Sequence, residues 1–159
     1  MMKSHTKLSI QYSHRFLNYE GEAQYLHGHT GYLKIEVEGK VDEKTGFVYP
    51  CNKIKKIAWE YLKAFDHAII LQEEDPILPE MLKVYEKQGI LNGAPSNTML
   101  GVEFDNHLAK SYPQSRIVVV KKPATCENMI EIFYELMKRE LNIKHMKFKS
   151  GDNCASAEY

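Results

Sequence analysis

Two stretches of alternating polarity constrain this chain more than any other feature. From Lys7 to His14, Leu8, Ile10, Tyr12 and His14 share one parity and Ser9, Gln11 and Ser13 the other, the period-2 pattern of a half-buried strand. From His27 to Glu38, His27, His29, Gly31, Leu33, Ile35 and Val37 fall on one face, with Lys34, Glu36 and Glu38 on the other. Side chains at i and i+2 of a strand stand about 7 Å apart on one face, so His27 and His29 can converge on one ion. Gly28 between them adds no bulk and permits a close backbone approach or a bulge. If the loop from Arg15 to Leu26 closes an antiparallel hairpin, His14 at the end of the first strand meets the start of the second. Three neutral imidazoles with an open fourth position are the catalytic form of a zinc site. A His-x-His pair is also common among histidines that only pack, and that alternative stands beside the metal. His5, His107 and His145 have no such company and read as surface or core residues.

The rest of the chain reads as one α+β domain over 1–159, since 159 residues with 43% hydrophobic content are enough for one sizeable core. The 21 basic and 21 acidic side chains cancel, which argues against a polyanion such as nucleic acid, or an anionic membrane, as partner. The longest apolar runs, Ile117 to Val120 and Ala68 to Leu71, fall far short of the ~20 residues that span a bilayer. Met1 to Leu8 is polar with no signal-type apolar core, so the expected location is the cytoplasm. Cys51, Cys126 and Cys154 are odd in number and widely spaced, which suits neither a disulfide framework nor a paired-cysteine metal site.

Further along, Lys44 to Gly46 predicts a turn and Phe47 to Tyr49 a short strand. Asn52 suits a helix N-cap, and Ile54, Ile57, Ala58, Tyr61, Leu62 and Phe65 make one helical stripe. Asp75-Pro76 breaks the chain, Glu80 to Lys87 predicts a short helix closed by Gly89, and Asn92 to Asn97 predicts a loop. Thr98 to Gln114 carries no decisive pattern. Arg116 to Lys121 predicts a strand. Thr125 suits the cap of a helix to about Glu140, with Ile130, Phe133, Met137 and Leu141 inward, and Lys144 to Lys149 alternates as a last strand. Asp66-His67 follows the first helix. Adjacent side chains rarely hydrogen-bond well, so the pair reads as a helix terminus favouring a cationic histidine, or, if functional, as a proton carrier.

In order, Tyr12-Ser13-His14-Arg15-Phe16, Leu26-His27-Gly28-His29-Thr30-Gly31-Tyr32, Gly46-Phe47-Val48-Tyr49-Pro50, Phe65-Asp66-His67 and Thr125-Cys126-Glu127-Asn128 resemble motifs of the 6-pyruvoyl-tetrahydropterin synthase family, which includes the 6-carboxy-tetrahydropterin synthases. The resemblance implies the tunnelling fold, an antiparallel four-stranded sheet with two helices on one face. It also implies a barrel-forming homo-oligomer, a trimer-based hexamer, with active sites between subunits. It implies a zinc-dependent lyase acting on 7,8-dihydroneopterin triphosphate or a related pterin, in queuosine or folate biosynthesis. His14, His27 and His29 would ligate Zn2+, Asp66 and His67 would relay protons, and Thr125 and Glu127 would bind substrate. Two departures stand out. The cysteine that acts as base in the family is absent before His27, where Glu20 to Tyr25 stands. Glu22 suits that role, as in members that cleave the pterin side chain in an aldolase-like reaction, and is otherwise a solvated loop acid. The strand-end glutamate that grips the pterin is absent as well. Phe148 to Asn153 stands there, with Asp152 as the available acid. These losses motivate an alternative, a non-catalytic metal-containing ligand-binding or assembly protein of the same fold. The segment from about Gln72 to Lys122 is an insert suited to rebuild the pocket rim.

Overall fold

A computed structural model describes residues 1–90, 95–104 and 107–159. Strand β1 (Met2–His14) and strand β2 (His27–Gly39) form where the alternation placed them. Thr6, Ile10, Tyr12 and His14 are buried along β1, with Leu8 half-buried between them, and Gly31, Leu33, Ile35 and Val37 are buried along β2, each set on one face. The remaining elements are α1 (Cys51–Leu62), β3 (Ala68–Gln72), α2 (Ile77–Lys87), β4 (Thr98–Met99), β5 (Val102–Glu103), β6 (Ala109–Tyr112), β7 (Ile117–Val120), α3 (Cys126–Met137), β8 (Ile143–Ser150) and β9 (Asn153–Glu158). Hydrogen bonding gives a seven-stranded sheet in the order β6-β7-β3-β1-β2-β8-β9, with β4 and β5 apart as a small ladder.

The chain divides into two compact units, each discontinuous in sequence, and β1 and β2 contribute residues to both. The first comprises Met1–Ile10, Thr30–Lys63 and Cys126–Tyr159. In it β2 pairs antiparallel with β8 from Gly31 opposite Ser150 to Val37 opposite Ile143, and β8 pairs antiparallel with β9. Helices α1 and α3 pack on each other, and α3 lies against β8 and β9. Ile54, Ala58 and Leu62 of α1 are fully buried, three positions of a single helical stripe. Phe133 of α3 meets Phe148 of β8 edge to face, with ring centres 5.4 Å apart.

The second unit comprises Gln11–His29 and Ala64–Thr125. Here the end of β1 runs parallel to β3, Tyr12 to His14 opposite Ala68 to Ile70, and β3 runs parallel to β7. Every residue of β7 is buried, the continuous apolar pattern of a parallel strand. β6 closes this side antiparallel to β7. Helix α2 packs Leu78, Ile77 and Met81 on a cluster of Leu71, Ile117 and Val119. Glu73 bridges Lys110 at 2.7 Å and also pairs with Lys121, tying β3 to the two strands beyond it.

Several expectations are corrected. The sheet is mixed and seven-stranded rather than antiparallel and four-stranded, and there are three helices among the described residues rather than two. The insert supplies β6, β7 and α2, while β3 and β9 arise from the chain on either side of it, and β3 runs parallel to both β1 and β7. Phe47 to Tyr49 forms no strand; Val48 packs on Gly39 of β2 and the Tyr49 carbonyl accepts the Ser4 hydroxyl of β1 at 3.0 Å, contacts that are not a strand ladder. α1 starts at Cys51 behind Pro50, with Asn52 already inside it. Pro50 fixes φ at −60°, which prepares the first turn. α1 ends at Leu62, three residues before Phe65, which is nonetheless fully buried. The β8 strand is followed by β9 across a Gly151 turn with φ +57°, so it is not the last. Asn92 to Ala94 of the expected loop lie outside the described residues, while Ser96 of the same segment bridges Ser111.

Candidate functional site

The ends of β1 and β2 bring three histidines together within the second unit. The ring centres of His14 and His27 are 4.7 Å apart, those of His27 and His29 4.8 Å, and those of His14 and His29 5.2 Å. One ligand atom from each lies within 4.8 Å of the others. Nitrogens held about 2.1 Å from a tetrahedral zinc stand about 3.4 Å apart. The triad is therefore near that geometry, and small side-chain rotations of the half-buried His27 and His29 suffice to reach it.

Hydrogen bonds select which nitrogens face the centre. His14 Nδ1 is 3.0 Å from the carbonyl oxygen of Ala124, so it donates, and Nε2 keeps its lone pair. That Nε2 is buried and meets no hydrogen-bond partner, an orphaned acceptor of the kind a cation satisfies. His27 Nδ1 likewise donates to the Tyr25 carbonyl at 2.7 Å. Backbone carbonyls behind the ligands fix ring orientation and raise ligand basicity. Burial holds His14 down to about pKa 4, opposed by its hydrogen bond to the Ala124 carbonyl and reinforced by the charges of His27 and His29. His29 is also lowered, chiefly by burial and then by the charge of His27. Both shifts favour the neutral, metal-binding form. The residues present therefore fit a zinc-type ion. Tyr12 and Phe16 flank His14 edge-on, with ring centres at 5.2 and 4.7 Å. Gly28 is less demanding than expected. A Cβ there would meet only the Tyr12 carbonyl at an ordinary 3.5 Å, and the β2–β8 pairing has its register shift at Glu36/Val37 instead.

Asp66 and His67 form a second cluster in the same unit, and the chain is not helical there. His67 has φ +57°, which turns its ring back so that Nδ1 donates to Asp66 Oδ2 at 2.8 Å. The expectation that neighbours bond poorly, and that the pair is a helix terminus, fails for this reason. The bond also forms within one chain. Asp66 Oδ1 accepts the Gln11 N–H at 2.8 Å, while the His67 ring remains 71% exposed.

The other expected residues are dispersed. Glu22 opens a short 3-10 turn (Glu22–Gln24) after Gly21 and is exposed. Gly21 suits that position because L side chains rarely adopt its φ of +140°, and a Cβ there would also press on the Tyr19 ring at 3.1 Å. Thr125 follows Ala124, the acceptor for His14, and stands just before α3. In the first unit, Glu127 is exposed in the first turn of α3, and Asp152 is exposed in the turn between β8 and β9. Sequence reasoning missed the carbonyls of Ala124 and Tyr25 and the backbone of Gln11, because a main-chain acceptor leaves no trace in residue identity.

The comparisons agree with this fold. The family described as 6-pyruvoyl tetrahydropterin synthase matches residues 4–154. A 6-carboxy-5,6,7,8-tetrahydropterin synthase of Rickettsia felis is 27% identical over 84 residues, 52% of this chain and 61% of that protein. The match thus spans under two thirds of that relative's length. An uncharacterized protein of Wolinella succinogenes has the same fold, with a TM-score of 0.72 at 16% identity over 99% of this chain and 97% of that one. A Plasmodium vivax 6-pyruvoyltetrahydropterin synthase, solved with a catalytic glutamate replaced by alanine, superposes at a TM-score of 0.55 and 14% identity over 100% of this chain and 99% of that one. The chain belongs to the 6-pyruvoyl tetrahydropterin synthase family.

Proposed function

We propose that this protein is a zinc-dependent lyase of 7,8-dihydroneopterin triphosphate or a closely related pterin, working as one family domain over 1–159. The observation that carries the proposal is the triad of His14, His27 and His29, whose buried Nε2 on His14 has no partner. A bound Zn2+ would act as a Lewis acid on the oxygens of the pterin side chain and so acidify the neighbouring carbons. His14, held by Ala124, and His27, held by Tyr25, would keep that ion fixed together with His29.

Glu22 is the base assigned to the carbon-bound proton. It stands in the loop between the ligand strands, where the family's cysteine is absent, and the P. vivax relative offers a glutamate as a catalytic residue. Asp66 holds His67 in the Nδ1–H tautomer, which leaves Nε2 to take up or deliver a proton. Thr125, Glu127 and Asp152 are assigned to the pterin ring, with the carboxylates accepting from its amino-pyrimidine edge. Assembly as a homo-oligomer with sites between subunits, and a cytoplasmic location, complete the proposal. Among the described residues no helix is long and apolar enough to cross a membrane.

The test is to incubate zinc-loaded protein with 7,8-dihydroneopterin triphosphate and follow the product by chromatography. Turnover above a His27→Ala control supports the lyase, and none above it defeats the proposal. The absent cysteine and strand-end glutamate favour a second reading, a metal-containing binding or assembly protein. Retention of metal with no thermal stabilisation by any pterin selects that reading.

A further inference from the structure

Two residues other than glycine hold left-handed backbone within one loop cluster, His67 at φ +57° and Arg116 at φ +52°. L side chains adopt this conformation rarely, and it persists where surrounding groups impose it. Arg116 sits at the C-cap of the 3-10 turn (Pro113–Ser115) that leads into β7. Its Nη2 donates to the carbonyl of Asp66, and its Nε donates to the carbonyl of His67 at 3.4 Å. Its own carbonyl accepts the Ile69 N–H at 2.9 Å, two residues after His67. From the other side, the Gln11 carbonyl accepts the His67 N–H at 2.5 Å, and the Gln11 N–H donates to Asp66 Oδ1 at 2.8 Å. Main chain and carboxylate are thus tied on both sides, while the imidazole stays open to solvent. A guanidinium presents several donors in a rigid fork, which is what two successive carbonyls require and what a single ammonium cannot supply.

We infer that Arg116 is the positioning residue of the Asp66–His67 pair, holding the left-handed turn that seats His67 Nδ1 on Asp66 and leaves the far side of the ring free. What the free nitrogen then does rests on the lyase proposal above. How it is held does not.

The experiment compares full-length, nitrogen-15-labelled protein as wild type, Arg116→Ala and Arg116→Lys, with the ring signals assigned through His67→Gln. Wild type should show His67 as a single Nδ1–H tautomer with a protected backbone amide. In Arg116→Ala the tautomers should mix and the His67 amide should exchange at least about tenfold faster, as loss of a charge-assisted bond implies. The kcat should fall roughly ten- to hundredfold with KM unchanged, because an ill-placed proton carrier slows chemistry more than binding. Arg116→Lys should lie between the two. A folded Arg116→Ala protein that keeps the single tautomer, the slow amide exchange and the wild-type kcat overturns the inference, as does a loss of melting temperature with those three unchanged. If the alanine variant does not fold, the lysine variant decides by the same readouts. Should the wild type turn over no pterin, the lyase proposal falls, and the tautomer and exchange data still decide the role of Arg116.

Discussion

Replacing Asp75 tests how the chain leaving β1 after His14 is anchored. The Asp75 side chain is fully buried, and its Oδ2 stands 3.0 Å from Nε of Arg15, the residue after His14. Both atoms are buried and poorly aligned for a hydrogen bond, so charge rather than direction holds the contact. Asp75 Oδ1 meanwhile accepts the N–H of Ile77 at 2.9 Å and caps α2. Asp75→Asn keeps an oxygen for the cap and removes the charge, whereas Asp75→Ala removes both. Losing a cap is worth about 1 kcal/mol. Breaking a fully buried ion pair costs about 3–5 kcal/mol. With the Arg15 side chain 24% exposed, water recovers part of that, leaving about 2 kcal/mol. The expected losses are therefore about 2 kcal/mol for Asp75→Asn and about 3 kcal/mol for Asp75→Ala. Urea unfolding followed by circular dichroism measures both, and Arg15→Met completes a double-mutant cycle with an expected coupling of about 2 kcal/mol. An asparagine variant as stable as wild type, with zero coupling, would refute the ion pair and leave Asp75 as a cap alone.

Three further outcomes are expected. The Lys110 and Lys121 hydrogen bonds hold Glu73 down to about pKa 2, below its ordinary 4.5, so its contribution is present above about pH 4.5 and lost as pH falls toward 2. Glu73→Gln should flatten the acid limb of the stability curve over that window, and an unchanged limb would contradict this. Phe133→Ala should cost about 3–5 kcal/mol in urea unfolding, since Phe133 is fully buried against Phe148, and a loss under about 1 kcal/mol would mean that site collapses freely. Glu22→Gln should lower kcat by at least about a hundredfold with zinc content unchanged, while full activity would return Glu22 to a solvated loop acid.

What could be read from the sequence depended on whether polarity recorded the environment. β1 and β2 were legible because one face of each is buried and the other is polar. The histidine cluster followed from that same phase, because His14, His27 and His29 share the buried parity. β3 was not legible. Ala68 to Leu71 is a continuous apolar run, which fits a parallel strand and a buried helix segment equally well. β9 was hidden for the opposite reason. Asn153 to Glu158 is small and mostly exposed, and only its backbone pairing with β8 makes it a strand. The geometry of Asp66 and His67 depends on a positive φ imposed by Gln11 and Arg116 from distant parts of the chain. No local pattern encodes such a contact.

Zinc stoichiometry and affinity, measured by competition with a chromophoric chelator, test most directly whether His14, His27 and His29 hold one divalent ion. Chelator-treated wild-type protein should take up one zinc per chain, and His27→Ala should weaken binding by at least about a hundredfold, the scale set by losing one of three ligands. Wild-type protein that takes up no zinc, or a His27→Ala protein that binds it as tightly, would contradict the claim and leave the three histidines as packing residues.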